Sequence, residues 1–159
     1  MTIETRHPLP DLTTTAAFGR AIARLLRPGD VIALKGGLGA GKTTLARAII
    51  AALGYDSEVP SPTFTIVETY DAPPLRLPII HADFYRLEDP SEVEELGLDD
   101  YREGAAMIAE WPDHAGGFAH EAGCLTICLQ SLGENGADGR VAIARPGTDW
   151  LERWHEQSA

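Results

Sequence analysis

Lysine is almost missing from this chain: its 159 residues carry only Lys35 and Lys42. Basic residues of both kinds number 13 against 24 acidic ones, for a net charge of -11. A surface this acidic repels a phosphate backbone, and no basic stripe along the sequence offsets it, which argues against direct nucleic-acid binding. Cysteine is as scarce. Cys124 and Cys128 stand in "CLTICL", where the period of a strand puts them on one face of one segment, out of bridging reach, so both are expected as buried thiols. No run approaches the ~20 apolar residues of a membrane-spanning helix. The opening "MTIETRHPLPDLTTTAAFG" lacks the basic start and apolar block of a secretory signal, and the expectation is a cytoplasmic protein with no membrane association. Internal repeats, polar low-complexity tracts and linkers are also lacking. With 44% hydrophobic and 23% charged residues, the length suits one globular domain spanning 1–159.

The acidic residues concentrate in "LEDPSEVEELGLDDYRE", where eight carboxylates face Arg102 alone. This pattern reads as a solvated helical face, with docking onto a basic partner as the alternative.

Apolar periodicity supplies the elements. "DLTTTAAFGRAIARLLRPGD" offers threonine caps, spaces Phe18, Ile22, Leu25 and Leu26 at helical intervals, and stops at Pro28 and Gly29, predicting a helix over 13–27. "DVIALKG" reads as a buried strand, and "KTTLARAIIAALG" as a helix closing at Gly54. "TFTIVETY" and "LPIIHADFY" form a hairpin across a turn-rich link. Ser91 and Glu94 have the spacing of a capping box. "AAMIAEW", "CLTICLQ" and "RVAIARP" predict three more strands, and "TDWLERWHE" a closing helix with Trp150, Leu151 and Trp154 packed on one side. Strands that alternate with helices, together with a hairpin, define an α/β fold with a mixed sheet.

One of the two lysines sits in "GGLGAGKTT". Gly36, Gly41, Lys42 and Thr43 satisfy G-x-x-x-x-G-K-[ST], between a buried strand and an apolar-striped helix. Glycines let the backbone turn tightly and approach phosphate oxygens, while successive amides and the helix N-terminus point at the anion. Gly37, Leu38, Gly39, Ala40, Gly41, Lys42, Thr43 and Thr44 are therefore the expected nucleotide-binding residues, with Mg²⁺. Lys42 would reach the β and γ phosphates and the Thr43 hydroxyl would help hold the metal. Lys35 reads as a solvated neighbour.

Hydrolysis further needs groups that hold the metal's water shell and orient an attacking water. Asp83 and Glu110 each close an apolar strand, where an unpaired buried carboxylate is costly, so each is expected to meet a cation or face a cleft. If the strand continues, His81, Asp83 and Tyr85 share one face, with His81 structural. Thr63 in "SPTFT" has the setting of a switch threonine, or of a plain loop-to-strand turn.

These segments resemble one family. "GGLGAGKTT", "SPTFTIVETY", "HADFYRL", "EELGLDDY" and "EWP" occur in the order and spacing of the bacterial TsaE (YjeE) family, along nearly the whole chain. The resemblance implies a P-loop NTPase-like three-layer sandwich with a mixed, mostly parallel sheet. It further implies an ATPase required for threonylcarbamoyladenosine modification of tRNA, acting with the TsaD and TsaB proteins and resetting their complex between turnovers. By the same resemblance Thr43 ligates Mg²⁺, Thr63 lies in a switch-like loop, Asp83 and Glu110 serve metal and water, and Tyr85, Arg86 and Trp111 belong to motifs needed for activity. The pattern departs at Gly37, where the family usually has aspartate. Two other readings share the loop: a small-molecule kinase, for which Arg76 and Arg86 are the midchain lid candidates, and a nucleotide-dependent switch with negligible hydrolysis.

Overall fold

A computed structural model describes residues 3–37, 39–55, 67–134 and 138–158, with no side-chain description beyond 154. Seven strands form one sheet in the order β1-β7-β6-β2-β5-β4-β3. They are β1 (Thr5–Leu9), β2 (Val31–Lys35), β3 (Val67–Tyr70), β4 (Ile79–Asp83), β5 (Ala106–Glu110), β6 (Cys124–Ser131) and β7 (Arg140–Pro146). The central pairings β6·β2, β2·β5 and β5·β4 are parallel, and antiparallel pairings complete both edges. The predicted hairpin is β3 against β4; the part of "TFTIVETY" before Val67 lies outside the described residues.

The parallel centre is buried on both faces, and the alternation along each strand sorts the core in two. Ile32, Leu34, Ile79, Ile108, Leu125 and Ile127 pack against α1 (Leu12–Leu25), α2 (Lys42–Ala52) and the tryptophans at the C-terminus. Val31, Ala33, Ile80, Ala82, Met107 and Ala109 face the other way, under Phe84, Leu98 and Phe118. That second layer is thin, built from loops and two short helices, α3 (Glu92–Glu95) and α4 (Leu98–Arg102). The result is the expected three-layer α/β arrangement with a mixed sheet. α1 and α2 approach closely at Gly19, where a Cβ would lie 2.7 Å from the Ala48 methyl carbon.

Several local expectations are corrected. Helix α1 is capped by Asp11 rather than by a threonine: its carboxylate accepts from the Thr14 N–H at 2.8 Å, and the Thr14 hydroxyl accepts from the Asp11 N–H at 3.2 Å. Ser91 makes no side-chain cap, and its own N–H donates to Asp89 at 2.9 Å. Cys124 is buried but Cys128 only partly so, and both are free thiols. The acidic tract is mostly solvated as expected, in two short helices rather than one face, and Arg102 pairs outside it with Glu121. The N-terminal strand β1 had no sequence prediction.

A buried ion pair joins the C-terminal helix α5 (Leu151–Ser158) to the start of β2. Arg153 donates to both carboxylate oxygens of Asp30, at 2.8 and 3.1 Å, with side-chain exposures of 7% and 5%. Its guanidinium also lies 4.1 Å from the Trp150 ring centre. Removing one partner strands the other charge in the interior. Arg153→Ala is therefore expected to destabilise the fold by about 3–5 kcal/mol, read as a lower urea midpoint at unchanged slope. The Asp30→Asn/Arg153→Met double variant should recover much of it, whereas a single-variant loss below about 1 kcal/mol would mean that solvent screens the pair.

Candidate functional site

The loop after β2 reverses direction through glycines in backbone states that other residues rarely adopt. Gly36 has φ +143° and Gly41 φ +100°; a Cβ on Gly36 would stand 2.6 Å from the Leu129 carbonyl oxygen. Only glycine gives a chain this close to its neighbouring strand. Gly37, by contrast, faces open space, so a side chain there would not press on the loop. Leu38 lies outside the described residues.

Helix α2 begins at Lys42 and aims its first turn into a cavity of about 410 Å³ lined by Gly39 to Thr44, Asp83, Tyr85, Glu110, Trp111 and Arg140. The Lys42 side chain folds back over its own loop. Its ammonium donates to the carbonyls of Gly36 at 2.6 Å and Gly37 at 2.9 Å, under the Trp111 ring at 4.0 Å. Burial lowers the lysine's pKa, opposed by the negative charges of Glu110 and Asp83.

Asp83 and Glu110 are register partners at the ends of β4 and β5. Residues 81, 83 and 110 share the α2 side of the sheet, which is why they meet the helix that begins at the loop. The Thr43 hydroxyl donates to Glu110 Oε1 at 2.8 Å, and His81 Nε2 donates to Glu110 Oε2 at 2.6 Å. Glu110 is 2% exposed and His81 fully buried, so this carboxylate is held from both sides. Asp83 accepts from the Tyr85 N–H at 3.0 Å. Desolvation nonetheless raises its pKa, with Glu110 adding to the rise.

Trp111, just past β5, takes φ +54° and ψ +52°. A non-glycine residue in this left-handed region carries strain of order 1–3 kcal/mol. The strain turns the indole across the mouth of the loop. There it packs against Tyr85 at 5.0 Å and His114 at 5.4 Å between ring centres, and His114 Nδ1 anchors the group by donating to the Tyr85 carbonyl at 2.9 Å.

The structure thus brings together Gly39, Ala40, Gly41, Lys42, Thr43, Thr44, Asp83, Glu110, Tyr85 and Trp111. Thr63 lies outside the described residues. Arg86 is exposed and does not line the cavity. Strand β4 ends at Asp83, so Tyr85 reaches the site from a turn rather than along a shared strand face. Arg76 donates to the Ala23 and Leu26 carbonyls at the end of α1, which removes it as a lid candidate. Lys35 pairs at the surface with Asp113 at 3.0 Å. Sequence reasoning missed the anchoring His114 and also Arg140, which donates to the Gly39 carbonyl from a position 101 residues away.

A strand, glycine loop and helix flanked by strand-end carboxylates define a P-loop-like α/β protein. The chain belongs to the TsaE family: the family model described as "Threonylcarbamoyl adenosine biosynthesis protein TsaE" matches residues 9–140. The tRNA threonylcarbamoyladenosine biosynthesis protein TsaE of Bacillus subtilis is 45% identical over 98 residues, covering 61% of this chain and 60% of that protein. The protein of the same name from Haemophilus influenzae is 37% identical over 123 residues, covering 74% and 77%. The crystal structure of Bacillus subtilis YdiB superposes with a TM-score of 0.79 at 28% identity, covering 99% of this chain and 96% of the other. Among the described residues no helix is long and apolar enough to cross a membrane.

The raised pKa of Asp83 has a sign that can be tested. The folded state holds that proton more tightly than the unfolded chain, so stability falls as pH rises from the ordinary aspartate value of 3.8 through the raised one. Asp83→Asn keeps the shape without the charge. It is expected to melt higher than the parent at pH 7, with the difference shrinking below that window; a variant that melts lower at pH 7 would contradict the desolvation account.

Proposed function

We propose that the cavity binds ATP with Mg²⁺, and that this chain hydrolyses ATP as a subunit serving threonylcarbamoyladenosine modification of tRNA. The observation that carries the reading is the convergence of one buried ammonium, one hydroxyl and two carboxylates on a glycine loop at a helix start. A phosphate chain supplies what this arrangement lacks. The Lys42 charge rests on two main-chain carbonyls, weak partners beside a phosphate oxygen, and the loop amides and helix N-terminus favour an anion.

The donor set fits a hard cation, since Thr43, Glu110 and Asp83 offer oxygen only. Among the described residues no group of three or more His, Cys, Asp and Glu is placed to hold a metal by itself, so phosphate oxygens and water would complete the shell. Mg²⁺ held at Thr43 would neutralise charge that develops on the transferring phosphoryl group. The protein's share is placement. Lys42 swings from its carbonyl partners to the β and γ phosphates. His81 keeps Glu110 from turning away from Thr43. Asp83, at the mouth of the cavity, holds and orients the water that attacks the γ phosphorus, and the bond to the β–γ bridging oxygen breaks to give ADP and phosphate. Trp111 and Tyr85 cover the site and exclude bulk water.

The surrounding reading is that hydrolysis resets a complex of TsaD and TsaB between turnovers. An acidic subunit that docks on proteins has no need of a basic surface to grip tRNA itself.

Lys42→Ala is expected to abolish ATP binding in calorimetric titration while the melting temperature stays near the parent's. Asp83→Ala and Glu110→Ala should still bind ATP yet release no phosphate, measured with TsaD and TsaB present. Partner-dependent phosphate release by the parent supports the proposal. Undiminished hydrolysis in both carboxylate variants would reassign the chemistry, and transfer of phosphate to a metabolite instead of water would favour a kinase.

A further inference from the structure

The cavity has two flanks. Its carboxylates stand on β4 and β5, on one side of β2, and on the other side, across β6, stands a second cation that the loop motif does not contain. Arg140 opens β7 and reaches over the glycine loop: Nη2 donates to the Gly39 carbonyl at 3.2 Å. A Cβ on Gly41 would lie 3.0 Å from Arg140 Nε and 3.3 Å from its Cζ. Glycine at 41 therefore leaves room for this guanidinium as well as for the turn. Its Nε is buried and has no hydrogen-bond partner among the described residues, and no carboxylate among those residues forms an ion pair with it. Buried N–H groups are nearly always satisfied. A permanently charged fork with an unmet donor, beside a loop that gathers anions, lacks an acceptor with several oxygens.

We propose that Arg140 is a phosphate-contacting residue: it donates Nε–H and an Nη–H to the nucleotide's phosphate chain, from the flank opposite Asp83 and Glu110. The assignment rests on the nucleotide-site reading above. It gives the cavity two cations of different kinds, a mobile ammonium inside the loop and a planar fork outside it. Because the fork bonds the Gly39 carbonyl as well, it ties the loop to the phosphates it would hold. A planar guanidinium could instead stack on the base, and the test separates the two.

The test is calorimetric titration of the full-length chain with ATP and ADP at low and high salt, comparing the parent with Arg140→Ala and Arg140→Gln, alongside thermal unfolding of each. The proposal expects Arg140→Ala to weaken both nucleotides roughly ten- to a hundredfold and to make binding less sensitive to salt. Arg140→Gln keeps an N–H for the Gly39 carbonyl but no charge, and should lose as much. Parent-like affinity in Arg140→Ala overturns the proposal. So does affinity restored by Arg140→Gln, which would make the residue a loop tether only. A loss with unchanged salt sensitivity also overturns it, in favour of stacking on the base. Failure of the parent itself to bind ATP would instead sink the nucleotide-site reading, a separate and recognisable outcome.

Discussion

The Lys42 ammonium is carried into a pocket where its nearest partners are two carbonyl oxygens of its own loop and the face of an indole. A charge so placed costs free energy to desolvate, and main-chain dipoles return only part of it. Much of the surrounding structure follows from that constraint. The loop must curl tightly enough for its carbonyls to turn inward, which requires glycine at 36 and 41. The strand before it must be buried on both faces to hold the curl rigid. Two carboxylates must stand near enough to favour the charge, yet be engaged so that they do not collapse onto the lysine. Glu110 meets this last demand through Thr43 and His81, and Asp83 through the Tyr85 amide.

The sheet explains why these groups converge. Four adjacent parallel strands, β6, β2, β5 and β4, end on the same edge, and side chains of like parity on β4 and β5 point toward the helix that follows β2. A one-residue slip of β4 against β5 would send His81 and Asp83 to the opposite face and dismantle the Glu110 clamp. The antiparallel edges complete the picture from the far side. Because β7 runs against β6, its first residue lies at the same edge where β6 ends, which is how Arg140 arrives beside the loop. Distant sequence positions thus share a site through the sheet's direction rather than through any local signal.

That distinction marks what could be read from the residues alone. The loop, its strand and its helix were legible, since glycine spacing and apolar periodicity are local. So were Asp83 and Glu110, each a charge at the end of an apolar run. The strand β1 was not: "TRHPL" is short and contains Pro8, which an edge strand tolerates and a central one does not. Asp11 stands just before three threonines that suit a cap equally well by residue type, so the sequence does not choose between them. Ser91 and Glu94 have the spacing of a capping box, but a four-residue helix beside Asp89 does not form it. The anchoring of Glu110 by His81, of Trp111 by His114 and of the loop by Arg140 depends on pairings 29 residues or more apart in sequence, or on side-chain directions set by turns. Periodicity does not carry such information.

Of the chain's three tryptophans, Trp150 and Trp154 are sealed in the core at 0% and 1% exposure. Trp111 alone borders the cavity, with a cation against its ring. The molecule therefore contains its own optical reporter: with the other two indoles sealed from solvent, Trp111 is the tryptophan whose emission responds to displacement of the ammonium beneath it.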